Sequence, residues 1–165
     1  AGVFVRVAMP AFTSAIESHH RNTIAARLME DLALARLQAI AISSNVALCG
    51  KHPTITLTCL DAASTDWSDG WYVYAGNSAS ISAAAAVLRA PQPLPEGWVV
   101  DKHVANSAYL ALGPRSETSQ FGHFTIYRSG YSTTAGCVTV NSTGRARFSA
   151  APVSSGMVSS ANDPC

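Results

Sequence analysis

The chain has 165 residues, of which 48% are hydrophobic and only 13% charged, and its net charge is +1. That length suits one domain with a real core. The near-neutral balance excludes a global field that would attract nucleic acid or an anionic membrane, so any such binding must come from a local patch. Ordinary globular chains are about 25% charged; here Ser, Thr and Asn must supply the polar surface, which fits a secreted or periplasmic β-rich protein better than a cytoplasmic enzyme.

Ala1 to Phe12 is apolar except for Arg6 and is shorter than the roughly 20 apolar residues that span a bilayer. It reads either as the remnant of a longer hydrophobic segment or as an ordinary buried helix turn. Pro10 is placed to kink or restart a helix. From there to Ser44 no further Gly or Pro occurs. Ile16, Ile24, Leu28, Leu32, Ala35, Ala39 and Ile42 recur at mostly three- and four-residue steps, which stacks them on one helix face. Met29, Leu34, Leu37 and Ile40 widen that face, while Glu17, Arg21, Arg27, Glu30 and Arg36 hold the wet positions. A helix over about 10–44 is roughly 45 Å long, more than the rest of the chain can cover. Its N-terminal end is therefore expected to protrude. Ser43, Ser44 and Asn45 are poor helix formers and should end it.

The remainder, about 45–165, reads as β-structure. Strands are expected at Val46 to Cys49, Thr54 to Leu60, Trp71 to Ala75, Ala86 to Ala90, Trp98 to His103, Tyr109 to Leu112, Gly122 to Arg128, Cys137 to Val140 and Arg145 to Ser149. Ile55, Leu57 and Cys59 alternate with Thr54, Thr56 and Thr58, the pattern of a strand with one face inward. Ala79 to Ala86 reads as loop or a short helical turn, and Pro91 to Pro95 must be extended. The result is an α+β chain of one domain, residues 1–165, with a long N-terminal helix followed by antiparallel sheets.

Cys49, Cys59, Cys137 and Cys165 allow three pairings, between which sequence does not choose. Sequential pairing would close a short loop and tie down the terminal residue. No CxxC pair suggests zinc, and bridges imply an oxidising compartment. Asp61, Asp66 and Asp69 match no calcium-loop spacing and read as turn residues. Trp67 and Trp71 read as core plugs. His19 and His20 point about 100° apart on a helix, and His52, His103 and His123 are scattered. No GxSxG, HExxH or P-loop pattern occurs. No catalytic residue, metal or cofactor is assigned.

Arg145 and Arg147 follow Gly144 at a two-residue step, which places both guanidiniums on one strand face about 7 Å apart. Two such forks can each engage a phosphate. The plainer reading is that Arg145 ties its hairpin to a neighbouring carbonyl or carboxylate. Arg128, Arg115 and Lys102 are candidates to extend the patch.

Several segments together resemble the FimT/FimU–GspH type of minor pilin and pseudopilin. In ARLMEDLALARLQAIAISSNVALC, Ala35, Arg36, Ala39, Ile40 and Cys49 hold the places of the family's helix and first strand. Asp66 to Tyr74 looks like its Trp-Gly-Trp strand opening, Cys137 to Phe148 like its C-terminal hairpin, and VAMPAF like the end of its hydrophobic segment. The resemblance spans most of the chain, with Ala79 to Gln120 covered loosely; Arg6 departs from it, since a charge is costly in a membrane segment. It implies a pilin-like helix packed on a two-sheet β-domain, a truncated N-terminal membrane segment, and prepilin processing. It further implies a non-enzymatic subunit anchored in the inner membrane of a Gram-negative cell, facing the periplasm, then built with other pilins through its helix into an extracellular type IV pilus, near the tip. A type II secretion pseudopilin is the alternative. In part of the family a Gly-Arg-any-Arg motif is associated with capture of double-stranded DNA in natural transformation, and Gly144, Arg145, Ala146 and Arg147 match it.

Overall fold

The computed structural model describes residues 3–104, 107–130 and 135–151. With no Gly inside it, α1 (Val3–Ile42) runs unbroken for 40 residues, about 60 Å. It starts before Pro10, which does not interrupt it. Among the described residues no helix is long and apolar enough to cross a membrane. The helix closes where Ser43 turns left-handed at φ 51. Ser43 N–H then donates to the Ile40 carbonyl and Ser44 N–H to the Ala39 carbonyl, the paired bonds that satisfy the last free carbonyls of a helix.

The strands form two sheets. The first orders β3 (Val87–Arg89), β2 (Trp71–Ala75), β1 (Val46–Gly50) and β5 (Leu110–Leu112); the second orders β4 (Trp98–Val104), β6 (Gly122–Arg128), β7 (Ala135–Val140) and β8 (Ala146–Ala151). Every pairing within them is antiparallel. The core lies between α1 and both sheets. Ile24, Leu28, Leu32, Ala35 and Ala39 supply the helix side, Leu48 and Val73 the first sheet, Val100, Phe124 and Val138 the second. Trp67 and Trp71 are plugs in that core. The helix stripe is buried only along this middle stretch: Ile16 at one end is 42% exposed, while Leu37 is 66% exposed. Residues 13–16 lie in the open, as expected of a protruding N-terminal part.

Two expectations fail. Thr54 to Leu60 is no strand; its β-pairing is limited to isolated bridges, Lys51 to Cys59 and Thr58 to Ser80. The segment instead bends back on itself. His52 Nδ1 accepts from the Thr54 and Ile55 N–H groups, Leu57 turns left-handed at φ 56, and a Cys49–Cys59 disulfide closes the loop. Folded this way, the loop and Ile81 cover the outer face of the first sheet, where Ala47, Tyr72 and Tyr74 are buried in a second apolar cluster. Glu17 is also not wet. It is buried, and its Oε1 lies 3.1 Å from Nη1 of Arg128. Cys137 is disulfide-bonded as well, whereas Cys165, and with it the expected terminal bridge, lies outside the described residues.

Candidate nucleic-acid interface

The β7–β8 turn is built on Asn141. Its Oδ1 accepts from the Thr143 N–H, the Thr143 hydroxyl and the Arg145 N–H at 2.8–3.1 Å. Gly144 N–H donates to the Asn141 carbonyl, and Thr118 N–H to the Ser142 carbonyl, docking the turn on the 113–118 loop. Gly144 is required twice over. Its φ is +67, and a Cβ there would come within 2.6 Å of the Ser116 carbonyl oxygen.

Past Gly144 the side chains alternate. Ala146 and Phe148 turn inward against the core, while Arg145 and Arg147 are exposed. Arg115 is exposed on the adjoining loop, next to Ser116. Arg36 reaches the same region from α1. It and Arg145 flank a groove of about 610 Å³ whose walls include Met29, Ala33, Leu37 and Ile40. None of Arg36, Arg115, Arg145 and Arg147 forms an ion pair among the described residues. These are positive charges on one surface, none of them ion-paired among the described residues, and suited to a multivalent anion.

The other expected cations do not join them. Arg128 sits at the far end of β6, six residues from Gly122 and thus about 20 Å from the turn end of the sheet. It pairs inward with Glu17. Lys102 does not extend the patch: it is buried, its ammonium donates to the Ser107 carbonyl, and burial lowers its pKa. Arg36 was legible only as a wet helix position, because its approach to the turn depends on how α1 crosses β8. The sequence likewise scatters the histidines that β4 and β6 stack together, His103 on His123, with ring centroids 4.8 Å apart. His19 and His20 lie 6.2 Å apart on α1. Among the described residues no group of three or more His, Cys, Asp or Glu gathers to hold a metal.

The profile of the family described as Type II transport protein GspH matches residues 25–144, from the buried stretch of α1 to the β7–β8 turn. The chain belongs to the GspH family. Among curated proteins no sequence matches it. In solved structures the GspH-family fold is similar to the type IV minor pilin FimU of Pseudomonas aeruginosa (strain PAO1). In one crystal form the TM-score is 0.59 at 16% identity, covering 78% of this chain and 91% of FimU. In another it is 0.63 at 16% identity, covering 81% and 90%. That likeness is one of fold: one long N-terminal helix on two antiparallel sheets, as the sequence resemblance implied. The GspH match stops at Gly144. Membership therefore does not speak to Arg145 and Arg147.

Proposed function

We propose that this GspH-family chain is a minor pilin of a type IV pilus, a non-enzymatic assembly subunit near the fibre tip, which also captures double-stranded DNA through the Gly144–Arg147 turn. Likeness to FimU, itself a type IV minor pilin, supports the first part. The observation that carries the second is the outward placement of Arg145 and Arg147, without an ion-pair partner among the described residues, beside Arg115. Partners in the fibre meet the chain through α1, whose residues 13–16 and whose Leu37 and Ile40 are uncovered. The subunit would be held at the inner membrane by a segment preceding this helix, face the periplasm, and then enter the extracellular fibre.

DNA held by so few phosphate contacts binds weakly and loosens with salt, by a log–log slope of about −0.9 per contact. Anisotropy of a labelled duplex, measured at two salt concentrations, tests this. Arg145→Ala with Arg147→Ala should weaken binding and reduce the slope by about 2; unchanged affinity overturns the DNA reading. The family description itself, a type II transport protein, favours a second reading as a secretion pseudopilin. Deleting the gene separates the two. Loss of surface fibres and DNA uptake supports the pilus, and loss of exoprotein secretion with fibres intact supports the pseudopilin.

A further inference from the structure

The outer face of the second sheet carries a polar row running across its strands. In register, His103 of β4 stands opposite His123 of β6, His123 opposite Thr139 of β7, and Thr139 opposite Arg147 of β8. Strands lie about 4.8 Å apart, so the row is about 14 Å long. Thr139 and Arg147 are exposed, His123 is half-buried and the His103 side chain is 23% exposed. The imidazoles stack at 4.8 Å with 19° between their planes.

Among the described residues the charged and titratable groups around the row are few. On β4, Asp101 places Oδ2 4.0 Å from His103 Nε2. Asp66 is bridged to Asp101 from the neighbouring loop. Tyr127 follows on β6, β7 adds only the disulfide-bonded Cys137, and Arg145 and Arg147 stand at the β8 side. One end of the row is thus acidic and the other basic, with two imidazoles between.

We propose that His103, His123, Thr139 and Arg147 form a phosphate-binding row that carries a DNA backbone from the turn across the strands, and that acidification tightens its grip. The inference rests on the DNA reading given above. Imidazole is the side chain that gains charge between pH 8 and 5, and as imidazolium it donates from both nitrogens. Two stacked rings that both carried charge would repel each other, and Asp101 stands on the His103 side of the stack. The Arg147 fork adds donors toward phosphate oxygens, and the Thr139 hydroxyl, which donates to the Arg147 carbonyl at 3.5 Å, can turn from it to join them.

The test is anisotropy of a labelled double-stranded oligonucleotide with the full chain at pH 7.5 and 5.5, each over a salt series. The wild type should bind several-fold tighter at pH 5.5, with a log–log salt slope steeper by about 0.9, one added phosphate contact. His103→Gln with His123→Gln should flatten this pH profile, whereas His19→Gln, on the exposed helix, should keep it. His123→Arg should show at pH 7.5 the steeper slope that the wild type shows at pH 5.5, which a merely structural histidine would not produce. Far-UV circular dichroism checks that each variant folds. If the double glutamine variant keeps the full gain on acidification, the row is overturned and the arginine reading stands. If the wild type binds no duplex at either pH, both fall together.

Discussion

Trp71 of β2 donates its indole N–H to Oδ2 of Asp31 on α1 across 2.7 Å, and both residues are 1% exposed. Arg89 of β3 completes the arrangement, with Nη1 2.6 Å from Asp31 Oδ1 and Nη2 2.9 Å from Glu30 Oε1. Arg27 lies over the Trp71 ring at 4.6 Å. A buried carboxylate thus locks the helix to the first sheet. Trp71→Phe removes the donor to Oδ2 while Arg89 stays on Oδ1, and leaving that buried oxygen without its bond should cost about 1–3 kcal/mol in chemical denaturation.

The same carboxyl sets a pH dependence. Burial raises the Asp31 pKa, with the Trp71 hydrogen bond and the Arg89 and Arg27 charges opposing. A carboxyl raised in the folded state contributes stability that is full below its unfolded value, about 3.9, and is lost as pH rises through the folded value. Wild type should therefore lose stability relative to Asp31→Asn as pH climbs above about 4. Thermal melts of both proteins across that range check it; a relative gain by the wild type as pH rises refutes it.

Arg128 should behave as a structural residue. Arg128→Ala leaves Glu17 with its side chain 6% exposed and without this ion pair, an expected loss of about 1–3 kcal/mol. Duplex affinity should stay as it was. A drop in affinity without loss of stability would place Arg128 at the interface instead.

Ser43 adopts φ 51 at the helix end, a conformation that costs a side-chain-bearing residue about 1–2 kcal/mol. Ser43→Gly removes that strain against some added freedom in the unfolded chain. A net gain of about 0.5–1 kcal/mol is expected, visible as a Tm rise of roughly 2–4 °C.

The Cys49–Cys59 bridge spans a sequence separation of 10. Loop-closure entropy for that length corresponds to about 2–3 kcal/mol. Cys49→Ala with Cys59→Ala should lower Tm by about 5–10 °C. Exposure of Tyr72 and Tyr74, beneath the loop, would report the loss through near-UV circular dichroism.

Where one local rule governed a segment, the sequence was enough. The three-and-four spacing of Ile24, Leu28, Leu32, Ala35 and Ala39 marked the buried helix face, and the short apolar runs marked the observed strands. It misled where tertiary contacts overrode the local rule. The Thr54 to Leu60 alternation imitates a strand, yet Ile55 is 53% exposed because the His52 cap and the disulfide bend the chain there. Glu17 reads as wet until Arg128, far along the chain, arrives beside it. For the candidate site, Gly144, Arg145 and Arg147 could be picked out locally. Arg36 and the His103–His123 stack depend on the crossing of α1 and the register of β4 on β6, which no short window encodes.

α1 leads into β1 through only Ser43, Ser44 and Asn45, and β1 is paired on both edges, to β2 and to β5. A pull along the helix therefore enters the globule at its most enclosed strand. There it strains the flanking ladders in shear, many bonds sharing the load, instead of peeling an outer edge open one bond at a time. The covalent link at Cys49 sits at the end of that strand, so a stretched chain would be arrested before the loop behind it could pay out.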